Sequence, residues 1–216
     1  MKPLQLIITT IAFLCTVAAK AQTPVQLIGR YNLGVGIQYN NLYYGDDIIP
    51  YSPGGGMGVE AGIRVMPSEH LEPYATIGFQ QNIAIRMTDG DDYWDNESYF
   101  TFNRTTFNAG LVYKFMLFNT TDKIVRIGGG VNFSIPGRAA FKEDNQKLPS
   151  ISYKMARGFN LEASYVAYAD RRVTVEPGLR YRQIKFNPAG NRMVPDNMNP
   201  AQASGFDLSV IIGLNL

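Results

Sequence analysis

Five carboxylates stand close together in one polar segment of the chain, residues 86–98. They are Asp89, Asp91, Asp92, Asp95 and Glu97, with Tyr93 and Trp94 between them. Oxygen ligands at this density suit Ca²⁺. The spacing differs from that of an EF-hand loop, whose glycine stands elsewhere, so a solvated acidic loop explains the segment better. We therefore predict no metal site and keep these carboxylates and Trp94 as candidate contacts for a cation or a partner.

The single histidine limits the catalytic chemistry that is open to the chain. His70 follows Glu69 in a predicted turn, where we expect a solvated side chain. At the end of the molecule opposite to this turn, a serine nucleophile with a histidine base is therefore excluded. A pair of carboxylates is not excluded there. The single cysteine, Cys15, forms neither an intrachain disulfide nor a structural zinc site. We predict no catalytic residues and no cofactor.

A further set of charged residues recurs at every second position within otherwise apolar segments. Its members are Glu60, Arg64, Glu72, Arg104, Lys114, Arg126, Glu162, Glu176, Arg180, Arg182 and Asp207. Period-two alternation is typical of a β-strand with one polar and one apolar face. If the polar face is buried, the charges must pair, because an isolated buried charge costs several kcal/mol. We expect a structural ion-pair network, with a gated polar conduit as the alternative.

Two pairings follow from the predicted turns. Arg64 and Glu72 flank the turn at Pro67 and are expected to pair. Glu162 and Glu176 flank a second turn, at 169–171, and are expected to lie nearly opposite each other. That arrangement is repulsive unless Arg126 or Arg180 lies between the two carboxylates.

Eight alternating segments position these charges. They cover residues 31–39, 57–65, 71–87, 107–115, 125–135, 153–165, 173–186 and 206–216. In the last segment Phe206 and Leu208 are separated by Asp207. After Arg182 the apolar phase moves to the other face, which predicts a β-bulge at 182–183.

The connections between these segments alternate in length. Short turns fall at 67–69, 119–122 and 169–171, and long polar loops at about 40–56, 86–98, 136–150 and 187–204. A closed antiparallel meander places the short turns at one end and the long loops at the other, as transmembrane barrels do. The predicted fold class is all-β, an eight-stranded antiparallel up-and-down transmembrane β-barrel.

Glycine content indicates which face looks outward. A soluble ligand-binding barrel would have the inverse arrangement, an apolar cavity inside a wet surface. Glycines weaken strands, but on the polar face (Gly34, Gly62 and Gly110, for example) they would make room for long charged side chains in a crowded lumen. Tyrosines near strand ends predict an interfacial belt: Tyr31, Tyr39, Tyr113, Tyr153, Tyr165 and Tyr181. We predict that the apolar face contacts lipid.

The N-terminus has the features of an export signal. Lys2 precedes an apolar stretch, 4–19, which is short for a membrane anchor, and Ala19-Lys20-Ala21 fits a small-x-small cleavage site. Residues 1–21 are therefore predicted to be a cleaved signal peptide and residues 22–216 the barrel domain. The chain of 216 residues is 45% hydrophobic with a formal charge of +2, which argues against a disordered or a nucleic-acid-binding protein.

With these features the chain resembles the small eight-stranded outer-membrane barrel proteins of Gram-negative bacteria. The resemblance covers residues 25–216 and includes the last strand, 205–216, which is similar to the C-terminal assembly signal of the family. That signal commonly ends in an aromatic residue, where this chain has Leu216. The resemblance implies a monomeric integral protein of the outer membrane, in contact with outer-membrane lipid.

The predicted function is non-catalytic: a structural element, a surface-loop interaction module, or an accessory of envelope assembly or secretion. The partner would be lipopolysaccharide, or a surface or periplasmic protein; in the alternative in which the acidic loop holds Ca²⁺, that ion would bridge to lipopolysaccharide phosphates. Tyr43, Tyr44 and Tyr51 of the first loop would join Trp94 in a binding surface or extend the interfacial belt. The alternatives are a lipid-modifying outer-membrane enzyme and a soluble periplasmic lipocalin-like barrel.

Overall fold

The computed structural model describes residues 24–38, 40–44, 47–82, 99–117, 123–143, 146–147, 150–170, 172–189 and 200–216. Within these ranges the chain forms β1 (Val25–Gly36), β2 (Asn40–Tyr44), β3 (Asp47–Tyr51), β4 (Gly56–Val65), β5 (Leu71–Gln81), β6 (Tyr99–Thr101), β7 (Asn103–Met116), β8 (Ile124–Pro136), β9 (Arg138–Glu143), β10 (Gln146–Lys147), β11 (Ile151–Ser152), β12 (Ala156–Tyr165), β13 (Tyr168–Ala169), β14 (Val173–Phe186), β15 (Ala201–Gln202) and β16 (Gly205–Asn215). Among the described residues, no helix is long and apolar enough to span a membrane. The predicted signal peptide, residues 1–21, lies outside the described residues.

Eight of the strands close into a barrel. They are β1, β4, β5, β7, β8, β12, β14 and β16. Each pairs antiparallel with the next along the chain, and the first strand pairs with the last, with Tyr31 opposite Val210. Closure leaves none of the eight with a free edge, which removes the hazard of edge-to-edge association. The predicted fold class, an eight-stranded antiparallel up-and-down barrel, is confirmed.

The two faces of the barrel are oriented as the alternation predicts. In β16 the side chains of Phe206 and Leu208 are exposed, whereas those of Asp207 and Ser209, which alternate with them, are buried. The same pattern runs through β1, where Leu33 is exposed and Asn32 is buried. A polar interior inside an apolar outer surface is the inverse of a soluble ligand-binding barrel.

The predicted β-bulge at 182–183 is wrong. Residues pair one to one along β14, so that Arg182 lies opposite Asn160 in β12 and opposite Gly205 in β16. The alternation also continues without a break, with Ile184 and Phe186 buried on the same inward face as Arg182. At this end of β14 the apolar residues point inward, because the barrel interior is itself apolar here.

The long connections share one apolar cluster at the barrel mouth. It consists of Tyr51, Phe100, Phe102, Ala139, Ile151, Tyr153, Ala156, Ile184, Phe186, Ala201 and Ala203. We call it the mouth cluster. All four long connections contribute to it, and short strands extend the connections beyond the barrel: β2 pairs with β3, and β9 pairs with β6, β10 and β11. The connections at this end therefore pack together over the mouth.

Two tyrosines belong to the mouth cluster against expectation. Tyr153 is only 8% exposed and Tyr51 2%, so neither lies in an interfacial belt or on an open binding surface. Their hydroxyl groups share a hydrogen bond of 2.8 Å. Tyr31, Tyr113 and Tyr165 do lie on the outer surface, as predicted. The alternation predicted the wrong location for Tyr153 because β12 begins only at Ala156. Tyr153 therefore precedes the strand in which it was predicted to lie.

The short turns lie at the opposite end of the barrel. They join β4 to β5, β7 to β8 and β12 to β14. His70 is in the first of them, exposed and stacked on the Tyr113 ring at a centroid distance of 5.4 Å. The long connections therefore lie at one end of the barrel and the short turns at the other, which is the asymmetry that the sequence predicts.

Candidate functional site: the barrel interior and its mouth

The interior charges nearest the short turns form a compact group of ion pairs. Arg126 contacts two carboxylates, with Nε 2.6 Å from Glu72 and Nη1 2.9 Å from Glu176. Arg64 contacts the same two, at 3.7 Å and 3.0 Å. Lys114 approaches Glu72 at 4.0 Å from the edge of the group. In this lower group each glutamate thus contacts both arginines, and the expected approach of Arg64 to Glu72 is present.

A second group crosses the middle of the barrel. Arg180 donates to Glu60 at 2.6 Å, and Arg30 contacts Glu162 at 2.7 Å and Glu60 at 3.9 Å. The expected opposition of Glu162 and Glu176 is wrong: the β12–β14 register places Glu162 opposite Arg180. The two carboxylates belong instead to different groups, each with its own arginines, so no repulsive pair has to be separated. Two guanidinium groups again meet two carboxylates in this middle group.

The third group, beneath the mouth, is not balanced in the same way. Arg182 contacts Asp207 at 2.6 Å, but Arg104 has no described carboxylate within 4.0 Å. Arg104 donates instead to neutral oxygens, the Pro53 carbonyl and the Gln80 side-chain Oε1, both at 2.9 Å. Arg182 donates to the same Gln80 oxygen. Two buried guanidinium groups in this upper group therefore converge on a single neutral atom.

A segment of the first long connection, Ser52–Gly55, lies over the upper group. Its four successive carbonyl groups all accept hydrogen bonds from barrel side chains. These bonds join Ser52 O to Asn82 Nδ2 (2.6 Å), Pro53 O to Arg104 Nη1 (2.9 Å), Gly54 O to Arg182 Nη2 (3.2 Å) and Gly55 O to Gln80 Nε2 (3.3 Å). We call these four residues the mouth segment. Backbone oxygens thus occupy positions next to the guanidinium groups where carboxylates would be expected.

Neutral polar side chains occupy the space between the charged groups. Tyr74 donates its hydroxyl proton to Asn160 at 2.9 Å, and Asn108 donates to Thr76 at 3.1 Å. Glycine is required where these side chains cross the barrel. A Cβ atom at Gly110 would lie 2.8 Å from the Tyr74 ring, closer than a carbon contact allows. A side chain larger than glycine therefore does not fit at position 110 without displacing Tyr74.

The eleven charged residues proposed from the alternation all point inward in the structure. Ten lie among these groups at the distances given, and Lys114 lies at their edge. Arg30 and Gln80 are interior residues that the sequence reasoning missed. Arg30 continues the even-numbered polar positions of β1, Asn32 and Gly34, so starting the predicted strand at Val25 rather than Tyr31 would have included it. Gln80 carries no charge, so the search for charged residues at alternate positions did not select it.

The acidic loop is not part of this site. Its candidate contacts Asp89, Asp91, Asp92, Trp94, Asp95 and Glu97 lie outside the described residues, as does Tyr39. Across the described part of the chain, no group of three His, Cys, Asp or Glu side chains is arranged to hold a metal ion. The polar groups of the described interior are mainly guanidinium, carboxylate and amide groups.

Comparison with known proteins gives structural neighbours only. No known family profile matches the chain, and no curated protein matches it. The outer membrane protein OprG of Pseudomonas aeruginosa matches with a TM-score of 0.56 at 10% identity, over 90% of this chain and 96% of OprG. At that identity the likeness shows the fold alone.

Two further solved structures match at TM-scores of 0.48. Neisserial surface protein A is 11% identical over 90% of this chain and 97% of its own length. The Yersinia pestis attachment invasion locus protein Ail, solved with the heparin analogue sucrose octasulfate, is 9% identical over 90% of this chain and 99% of its own length.

The closed barrel, its ionic interior and its apolar outer surface together define a class. The chain has the fold of a small eight-stranded transmembrane β-barrel, a fold that it shares with the outer membrane protein OprG. An apolar exterior is unfavourable in water but favourable in a bilayer, and closure satisfies the backbone groups that lipid cannot.

Proposed function

We propose that the protein is a non-conducting and non-catalytic outer-membrane scaffold that presents an ordered surface to a partner outside the cell. Its lumen is filled by the three ion-pair groups, and its long connections form the surface. Residues 1–21 would direct export and be removed. The partner would be lipopolysaccharide or a surface protein, for which the acidic loop and Trp94 provide candidate contacts.

The observation that carries this proposal is the mouth cluster. Phe102 packs edge-on against Phe186 at 5.5 Å and against Tyr153 at 6.1 Å, which joins the second and third long connections to β14. Tyr51 brings in the first connection through its hydrogen bond to Tyr153. Connections that share a buried core are ordered before a partner arrives, and a preordered surface binds at lower entropic cost.

The filled lumen supports the non-conducting part of the proposal. An eight-stranded barrel is just wide enough for its own side chains to fill. Here Arg64, Glu72 and Glu176 are almost completely buried at one end, and the mouth cluster covers the other. Burial of the described side chains at both levels supports a lumen without a continuous polar path.

Planar-bilayer recording tests the proposal. We expect the refolded protein to insert without steady ion conductance at moderate salt. A double variant, Arg126→Ala with Arg64→Ala, removes two large side chains from the lower group and serves as the comparison. Reproducible single-channel steps from the unsubstituted protein would contradict the non-conducting scaffold, and turnover of radiolabelled lipid would support the enzyme alternative.

A further inference from the structure

The upper group holds a buried positive charge that no carboxylate among the described residues neutralises. The lower and middle groups each set two arginines against two glutamates, whereas Arg104 and Arg182 face one described carboxylate, Asp207, which Arg180 of the middle group also approaches at 3.7 Å. The Nε atoms of both arginines are buried without a hydrogen-bond partner, as are those of Arg30, Arg64 and Arg180, so the shortage of carboxylates is what distinguishes the upper group. A buried guanidinium without a counter-charge is costly for folding. Departures of this kind from complete charge pairing are expected mainly at functional sites.

The geometry of the two guanidinium groups suits an oxyanion. Arg104 Nη2 and Arg182 Nη1 both donate to Gln80 Oε1, so their donor edges point at one position. Their other Nη atoms hold the carbonyl oxygens of Pro53 and Gly54. Planar guanidinium groups bind carboxylate and phosphate oxygens through paired hydrogen bonds. The mouth segment therefore supplies neutral oxygens where a negative oxyanion would bind more strongly.

We propose that Arg104, Arg182 and Gln80 form an oxyanion-binding site, for a phosphate or carboxylate group from the outer solution, and that the mouth segment covers this site in the structure. This inference rests on the proposed function, because it names the ligand chemistry at the mouth of the scaffold. The segment is suited to displacement, since it contributes only one side chain larger than serine and its backbone oxygens carry only partial charge.

A glycine substitution offers a way to uncover the site. A Cβ atom at Gly54 would lie against the Ser204 carbonyl oxygen and 3.0 Å from Gly36 Cα, so Gly54→Ala should push the mouth segment away from the arginines. Gly29 provides the matched control, because a Cβ atom there has no heavy atom within 4 Å. Gly29→Ala adds the same methyl group without moving the segment.

The test is thermal unfolding in neutral detergent with increasing inorganic phosphate at constant ionic strength, and with acetate in a parallel series. A ligand of the folded state raises the unfolding midpoint with its concentration. We expect Gly54→Ala to respond at lower concentration than Gly29→Ala, and Arg104→Gln added to Gly54→Ala to weaken the response about tenfold or more. The stronger of the two anion series identifies the group that the site prefers.

Two outcomes overturn the inference. Equal responses of Gly54→Ala and Gly29→Ala, or a response that survives Arg104→Gln, would indicate an adventitious ion only. The proposed function fails separately, through ion conductance of the unsubstituted protein, which these titrations do not measure.

A second pair of variants decides the matter if Gly54→Ala does not fold. Gln80→Glu places a carboxylate at the point where both guanidinium groups converge, so it should raise the unfolding midpoint above that of the unsubstituted protein. Gln26→Glu is the matched control. Gln26 accepts from Arg64, which already contacts glutamates, and its amide donates to Thr174 and Asn215, so that substitution should lower the midpoint. No gain from Gln80→Glu would overturn the site.

Discussion

Arg126 forms an ion pair with Glu72 across an intervening strand. Nε of Arg126, in β8, lies 2.6 Å from the carboxylate of Glu72, in β5, and neither strand pairs with the other because β7 lies between them. The pair between Arg30 in β1 and Glu162 in β12 also joins strands that are not neighbours. Interior ion pairs therefore connect parts of the barrel wall that the backbone ladders do not connect directly.

Arg126→Ala should destabilise the barrel strongly. The substitution leaves Glu72 and Glu176 buried with one guanidinium in place of two, and removing one partner from a buried ion pair typically costs about 3–5 kcal/mol. Urea-induced unfolding in detergent or lipid vesicles measures the loss. Arg157→Ala is the control: Arg157 is an exposed outer residue whose guanidinium lies 5.8 Å from the Phe133 ring, and we expect a loss of about 1 kcal/mol or less. Equal effects of the two substitutions would contradict a structural role for the lower group.

The alternation predicted which residues point into the barrel, because side-chain direction in a strand depends only on local geometry. Of the partners, it predicted the approach of Arg64 to Glu72 but not the others. Glu162 was expected opposite Glu176, yet the partner of Glu162 is Arg30, which belongs to the first strand. The stagger of all eight strands determines which charged side chains meet across the lumen. That stagger cannot be inferred from local sequence patterns.

The mouth cluster was the larger omission. Ile184 and Phe186 indicate a bulge only if the polar interior continues to the end of β14, and it does not. Their apolar partners, such as Phe102 and Ala203, come from loops with no alternation to read. Contacts between loops that are distant in sequence have no periodic pattern. The apolar cluster at the mouth could therefore not be predicted from the sequence.

Phe102→Ala should loosen the long connections while the barrel remains folded. The side chain is buried between the rings of Phe186 and Tyr153, and loss of a buried phenylalanine typically costs about 3–5 kcal/mol. Most of that loss should appear as local opening, seen as faster protease cleavage of the connections with heat-modifiable migration retained. Phe206→Ala is the control, because that ring lies on the outer surface. Unchanged cleavage of Phe102→Ala would show that the cluster does not hold the connections together.

Tyr51 and Tyr153 should ionise later than exposed tyrosines. Burial raises the pKa of both hydroxyl groups, whose ordinary value is about 10. Because the folded-state pKa is the higher one, the stability that the neutral pair contributes is complete below about pH 10 and is lost as the pH rises above it. Absorbance of tyrosinate during an alkaline titration measures the effect.

The substituted proteins identify the late phenols in that titration. The double variant Tyr51→Phe with Tyr153→Phe should lack two late-titrating phenols. Tyr168→Phe is the matched control for loss of a hydroxyl group, since Tyr168 is exposed in β13 and lies outside the pair. A titration in which the double variant loses early phenols instead would show that the pair is solvated.

Leu208→Arg tests the orientation on which every other assignment depends. Leu208 lies near the centre of β16, opposite Leu33 and Leu179 on the two neighbouring strands, and its side chain is 64% exposed. If this surface contacts hydrocarbon, an arginine near the bilayer midplane costs about 2–4 kcal/mol. If it contacted water, an exposed charge would change the free energy of unfolding by no more than about 0.5 kcal/mol. Unfolding from lipid vesicles separates the two, with Leu208→Ala as the control for lost side-chain contacts. A tolerated arginine would place this surface in water, and the interior ion pairs would then need another explanation than exclusion from lipid.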